Sequence, residues 1–428
     1  MAPKHPLLVR PFALGALAVA LAGSTLGAIL LLRIHLALGP VEPRWIQVHG
    51  QAQVFGFIVP LVLGFGTYLV PRIAAGNPIR AGLAAPALAA LMLAAVADFA
   101  APLVSGSAGF LLRRALALLV AAGSLAGAAC LEAPLAARRR ERERHRGHEL
   151  LLAASLAFLA LGGLADAAAW WLSANVLEGE LPAGLASAAW RLAIEGFAIG
   201  MALAVSTRMF SGFLGVAPAL ADRQRAPAFR DRIFFAAASI WAASVVLGSA
   251  GALSGLGRLE RIADLLFAVG VVPLSLQLGL ASTSGGPAID RTRDPIFTFG
   301  ARTAYALLVA GAMVGAAASG ADLLGLPVHS LWFDARRHLI NIGFLLTLIA
   351  TMAGRLAPGF AGRPLALPGL RVLALAGFAL SALLRALEGV AGQWGPAELL
   401  WLSGLSGPLA ASALLALAAS LGATLLHG

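Results

Sequence analysis

The sequence predicts an all-α, polytopic integral membrane protein of about twelve transmembrane helices in three pseudo-symmetric blocks of four. Three observations predict it. Of 428 residues, 60% are hydrophobic and 12% charged, whereas soluble domains carry about 45–50% and 25%. Apolar runs of about 20 residues, enough to cross roughly 30 Å of hydrocarbon, recur along the chain. One glycine-aromatic motif returns in every fourth run.

The first apolar run, residues 11–32, is too long for the core of a signal peptide and reads as an uncleaved helix over 12–36. Similar runs place spans at 46–72, 82–104, 109–136, 149–173, 186–210, 233–254, 261–282, 297–319, 336–357, 370–391 and 396–425. They form one transmembrane domain, 1–428, with repeat blocks at 1–148, 149–296 and 297–428.

Most basic residues fall on one side of these spans, among them Lys4, Arg10, Arg72, Arg80, Arg223, Arg225, Arg291 and Arg293. That asymmetry predicts a multi-pass protein of the bacterial inner membrane with both termini cytoplasmic. Trp45, Trp170, Trp171, Trp190, Trp332, Trp394 and Trp401 fall near the outer ends, as an aromatic belt would. The net charge of +11 is then topology and not a nucleic-acid footprint. "RRRERERHRGH", residues 138–148, reads as a solvated loop of mixed charge. A single cysteine, Cys130, excludes an intrachain disulfide, a thiolate cluster and a zinc knuckle. Phosphate-loop, dinucleotide and nucleophile-elbow patterns are absent from the sequence.

The repeat is clearest between the sixth and tenth spans. "RLAIEGFAIGMALAVSTRMFSGFLG" from Arg191 matches "HLINIGFLLTLIATMAGRLAPGFAG" from His338 without a gap. Gly196-Phe197, Arg208, Gly212-Phe213 and Gly215 fall on Gly343-Phe344, Arg355, Gly359-Phe360 and Gly362. The second span, "VHGQAQVFGFIVPLVLGFGTYLVPRI", fits more loosely through Gly56-Phe57, Arg72 and Gly76.

Ionisable groups inside a membrane are expensive and point to function. His49 lies one turn inside the second span and His338 is read at the same depth in the tenth, preceded by Arg44 and by Arg336 and Arg337 respectively. Two imidazoles of this kind suit the axial positions of a haem iron, and the arginines suit its propionates. Gly50, Gly56 and Gly343 would let a flat ring approach, while Gln53 and Asn341 are placed to orient the imidazoles. The structural alternative is that the histidines and Gln51 and Gln53 join helices, the glycines permit close packing, and Pro60 kinks its helix. Arg191 with Glu195, and Arg385 with Glu388, are spaced to neutralise each other. Asp98, Asp166 and Asp264 have no cation in reach on their own helices. His35 and His329 lie near the outer surface, where Asp334 could complete a copper site; His5, His145, His148 and His427 read as solvated.

The second span resembles the helix of haem-copper oxidase catalytic subunits that carries a low-spin haem ligand, through "HGQAQVFGF" and "GFGTYLVP". "RHLINIGFLLTLIATMAGRLAPGFAGRPL" and "RMFSGFLG" are similar to the NnrS family, twelve-helix bacterial proteins associated with haem, copper and the response to nitric oxide. The resemblance implies a haem of b type on the periplasmic side with His49 and His338 as iron ligands, and copper as a second metal. It implies, as partners besides membrane lipids, a cytochrome or quinone electron donor and nitric oxide or another small gas. The histidines and tyrosine of a binuclear oxygen-reducing centre are missing: the sixth span offers Glu195, and Arg336 and Ile340 flank His338 at the two-residue spacing. Any enzyme here would be a haem-dependent membrane oxidoreductase without that centre. Gly359-Phe360-Ala361-Gly362-Arg363 also lacks a histidine common in NnrS relatives. Two other readings stay open: a transporter or channel lined by Asp98, Asp166, Arg191 and Glu195, and an accessory subunit of a respiratory complex.

Overall fold

The computed structural model describes residues 6–36, 38–74, 78–141, 147–176, 180–214, 227–280, 294–395 and 397–426. His5, His145, His427, Gly76, Gly215, Arg223, Arg225, Arg291 and Arg293 lie outside them, and the side chains of Gly212-Phe213 and of the charged run from Arg138 are likewise not described. Among the described residues the chain is helical and without strands.

Its order is α1 (Pro6–His35), α2 (Pro43–Ile73), α3 (Ala81–Leu103), α4 (Gly106–Glu141), α5 (Gly147–Val176), α6 (Ala183–Phe210), α7 (Pro227–Ser254), α8 (Gly257–Leu276), α9 (Pro295–Leu323), α10 (Leu331–Ala361), α11 (Pro368–Trp394) and α12 (Leu399–Leu426). Eleven are long and apolar enough to cross a membrane, which makes this a multi-pass membrane protein. The helix left out is α8, which carries Arg258, Glu260, Arg261 and Asp264 in its first half. Two of those charges are compensated: Arg261 pairs with Asp322 at 2.7 Å and Asp264 with Arg336 at 3.3 Å. At 20 residues this helix is about 30 Å long.

The chain divides into two compact units, Met1–Met201 with Ser249–Gly257, and Ala202–Gly248 with Arg258–Gly428. In the first, α1 packs on α2, α3 on α4, α4 on α5 and α5 on α6. In the second, α10 is flanked by α9, α11 and α12.

The repeated Gly-Phe helices share a feature that the sequence does not announce. Each opens into a π-helical segment, at Ala52–Ile58 in α2, Leu192–Ala198 in α6 and Leu339–Leu346 in α10. Each begins five residues before its phenylalanine, and Phe57, Phe197 and Phe344 are all fully buried. Pro60 follows the first segment, but Gly200 and Thr347 hold that place in the others, so the widening travels with Gly-Phe and not with proline.

The preceding helix meets each π segment through a ladder of rungs, three in the first and last copies and two in the middle one. In α1, Val19 faces Gly56, Gly23 receives Gln53, and Gly27 receives His49. In α9, Leu307 faces Gly343, Gly311 receives Ile340, and Gly315 receives Arg336. In α5, Phe158 faces Gly196, and Gly162 receives Leu192 and the Ala189 carbonyl. The rungs step forward by four on one helix while stepping back on the other, which is the contact pattern of antiparallel neighbours. Gly27 and Gly315 are notches that admit His49 and Arg336, and a Cβ on either would overlap the side chain it receives.

The entry to α9 is fixed by Asp294, which caps it by accepting from the Phe297 amide at 3.0 Å and bonds Arg371 of α11 at 3.0 Å. Burial pushes the Asp294 carboxyl up, but the Phe297 amide and the Arg371 guanidinium prevail and hold it below the usual carboxylate range. Its contribution is therefore present above the unfolded value near 4 and lost as pH falls through the lower folded value.

Asp294→Ala should lower stability at pH 7 by about 1–2 kcal/mol, with the gap to the wild type closing as acid protonates Asp294. Thermal melts across pH in detergent would show this. In the same assay Gly315→Ala should melt below Gly320→Ala. Both gain the helix propensity of alanine, but only the first overlaps Arg336, an overpacking worth about 1–3 kcal/mol, whereas Gly320 has its nearest neighbour at 3.7 Å.

Candidate functional site

The Gly-Phe register decides which polar side chains are equivalent. His49 stands seven residues before Gly56, and Arg336 seven before Gly343. His338 stands five before Gly343, where α2 has Gln51 and α6 has Arg191. In this register the two histidines differ by two residues, about 3 Å along and about 200° around an ideal helix. The two histidines do different work in their own helices.

His49 occupies the notch at Gly27, and its Nδ1–H donates to the Gly23 carbonyl at 2.8 Å. Gln53 does not orient it; its amide donates to the Ser24 hydroxyl at 3.1 Å and to the Ala20 carbonyl at 3.4 Å. The glycines expected to admit a flat ring are filled by protein instead. Trp190 packs on Gly50, Val19 and Ala95 on Gly56, and Leu307 and Ala382 on Gly343. On this side the residues fit a helix-joining role better than a haem cradle.

His338 is placed otherwise. It is half-buried, with Nδ1 2.9 Å from the Asp334 main-chain carbonyl and 3.3 Å from the Asp334 carboxylate. Arg385 of α11 holds that carboxylate with two nitrogens at 2.8 and 3.1 Å, and its third reaches Glu388. Glu388, 2% exposed, also accepts from the Ser403 hydroxyl of α12 at 3.3 Å. Donation through Nδ1 sets the tautomer in which Nε2 carries the lone pair, and a carboxylate behind Nδ1 is the usual support of a metal-bound histidine. The donor set at His338 therefore fits a haem iron ligand. Asn341, expected to orient the ring, is half-buried within the π segment; Asp334 performs that task.

The arginines divide as well. Arg44 is exposed, bonded to Glu42 and donating to the Pro102 carbonyl at 3.0 Å, and Arg337 is exposed. Arg336 was expected at the water boundary but is buried, 4% exposed, because it neutralises Asp264, which also accepts from Ser319 at 3.0 Å. A propionate could not take that guanidinium without stranding Asp264.

Arg191 and Glu195 pair within α6 at 3.8 Å, and Arg385 and Glu388 pair within α11, as their spacing suggests. His35 bonds the Leu31 carbonyl at 3.0 Å, and His329 accepts from the Leu331 amide at 3.3 Å beside Gly392. His148 is half-buried at the start of α5, not in an open loop, and Trp170 is buried inside the protein, not in a lipid-facing belt. Among the described residues no three His, Cys, Asp or Glu side chains converge as a metal site would require.

Sequence reasoning missed Asp334 as the partner of His338, although the i, i+4 spacing was there to be read. It missed the Asp264–Arg336 pair because the partners lie 72 residues apart on α8 and α10.

Set beside known proteins, the chain matches the family described as NnrS protein over residues 10–427, nearly its whole length, and it belongs to that family. No curated protein matches it.

Removing one member of the buried Arg336–Asp264 pair should cost about 3–5 kcal/mol by leaving a charge uncompensated. Arg336→Leu and Asp264→Leu should each lose folded yield and melt early, and the double variant should recover much of the loss. Additive damage in a double-mutant cycle would show that the pair is not coupled.

Proposed function

We propose that this member of the NnrS family is a haem-binding protein of the bacterial inner membrane, with both termini cytoplasmic, that acts in the response to nitric oxide. The observation that carries the haem assignment is the support behind His338: Asp334 against Nδ1, itself held by Arg385. His338 is the ligand proposed, and His49 the residue that locks α2 to α1. A haem of b type suits the chain, since one cysteine excludes the two-cysteine attachment of a c-type haem. Bound there, haem supplies a metal centre able to hold a diatomic gas or pass an electron, with a cytochrome or quinone as donor. The chain's own contribution is to present Nε2, fix the ring through Asp334, and keep the neighbouring charge balanced through Arg385 and Glu388. The bias of basic residues supports the orientation, and the repeated ladder supports three related four-helix blocks.

A transporter lined by Arg191 and Glu195 is less well supported, because these two lie against each other in α6.

The test is the optical spectrum of the detergent-purified protein, oxidised and dithionite-reduced. A Soret band should be present in the wild type, lost in His338→Ala and retained in folded His49→Ala. Asp334→Asn should bind haem about 10–100-fold more weakly. A wild type without a Soret band from haem-replete cells, or a band indifferent to His338→Ala, contradicts the proposal.

A further inference from the structure

The start of α4 collects hydrogen-bond donors and positive charge. Ser105 and the first helical residues Gly106, Ser107 and Ala108 are exposed, Gly106 turns the chain into the helix at φ 62°, and the first turn holds no acidic side chain. Amides that open a helix have no partner within it and form the positive end of its dipole.

Arg113, on the next turn, reaches back to the same place. It is 9% exposed. Its Nη2 donates to the Val104 carbonyl at a long 3.4 Å, Nη1 lies 3.4 Å from the point a Gly109 Cβ would occupy, and Nε has no acceptor. A cation beside a helix N-terminus opposes the dipole, and a buried one needs a counter-charge. The acids on the adjoining elements do not supply it. Glu42 is held by Arg44, which donates to the Pro102 carbonyl of the same loop at 3.0 Å, and neither Asp98 oxygen bonds a partner. A guanidinium set against the free amides of a helix start is the donor set of a phosphate site.

The surroundings select the kind of phosphate. The turn stands at the end of the span Gly106–Ala137, at headgroup level. From it Leu111, Leu118 and Leu125, spaced by seven, expose an apolar stripe along α4. Arg114 lies over the Trp171 ring at 3.1 Å and the Phe110 ring at 5.0 Å, an aromatic rim of the sort found at a membrane interface. We propose that the start of α4 binds the phosphate of an anionic membrane phospholipid, held by Arg113 and the amides of residues 106–108, with acyl chains along Leu111, Leu118 and Leu125. A free phosphate ion would meet the same donors without the stripe. The site lies in the first unit and is independent of haem binding.

Native mass spectrometry of the full chain in detergent tests it, with titrations of phosphatidylglycerol, of diacylglycerol with the same chains, and of inorganic phosphate. The wild type should bind phosphatidylglycerol about tenfold or more tighter than either of the others, the worth of one charge-assisted hydrogen bond. Arg113→Gln should lose that advantage. Ser107→Pro, which removes an amide donor where a first turn accepts proline, should weaken binding too. Arg258→Gln, at an exposed arginine of α8, should leave it unchanged. Diacylglycerol binding as tightly would show that the phosphate is not read, and inorganic phosphate binding as tightly would show that the lipid is not; either overturns the proposal. So does wild-type affinity in both Arg113→Gln and Ser107→Pro. The comparison of ligands uses the wild type alone, so a misfolded variant does not remove the test.

Discussion

Close approach of antiparallel helices at glycine governs this molecule. In α2, α6 and α10 a glycine precedes a fully buried phenylalanine, and one large residue of the preceding helix presses on that glycine: Val19, Phe158 or Leu307. With that rung set, residues three or four positions earlier meet the preceding helix too, and in α2 and α10 so do those seven earlier. The helix widens into a π segment over the same stretch, which turns the residues before it relative to those after. Which polar side chains face a neighbour, and which face an interior pocket of charge, follows from that turn.

One ladder thus carries different chemistry at each copy. The position seven before the glycine is His49, Ala189 or Arg336, and His49 and Arg336 enter notches at Gly27 and Gly315. The position five before the glycine is Gln51, Arg191 or His338, and each lies against a carboxylate: Asp166, Glu195 or Asp334. Only the third of these is an imidazole backed by a carboxylate, which is why His338 and not His49 has the surroundings of a metal ligand.

The helices and the Gly-Phe repeat were legible in the sequence because length and apolar character suffice to mark a span, and because glycine leaves no substitute at a tight crossing. The i, i+4 and i, i+3 ion pairs were legible for the same local reason. The ladder was not, since Val19, Phe158 and Leu307 share shape and position but no identity. Nor were the partners of Arg336 and Asp166, which come from helices distant in sequence. The reading of His49 and His338 as a matched pair followed the sequence's emphasis on histidine; the glycine register matches each of them instead to a different residue type.

The most direct test of this account is the register of the ladder itself, read by oxidative cross-linking in a background carrying Cys130→Ser. A Cβ on Gly56 would lie 3.6 Å from Val19 Cβ, within disulfide range. Val19→Cys with Gly56→Cys should therefore cross-link rapidly, as should Leu307→Cys with Gly343→Cys, while pairs moved one residue along α2 or α10 should not. Equal or faster cross-linking of the displaced pairs would contradict the ladder, and with it the assignment of His49 to the Gly27 notch and of His338 to the carboxylate-backed position.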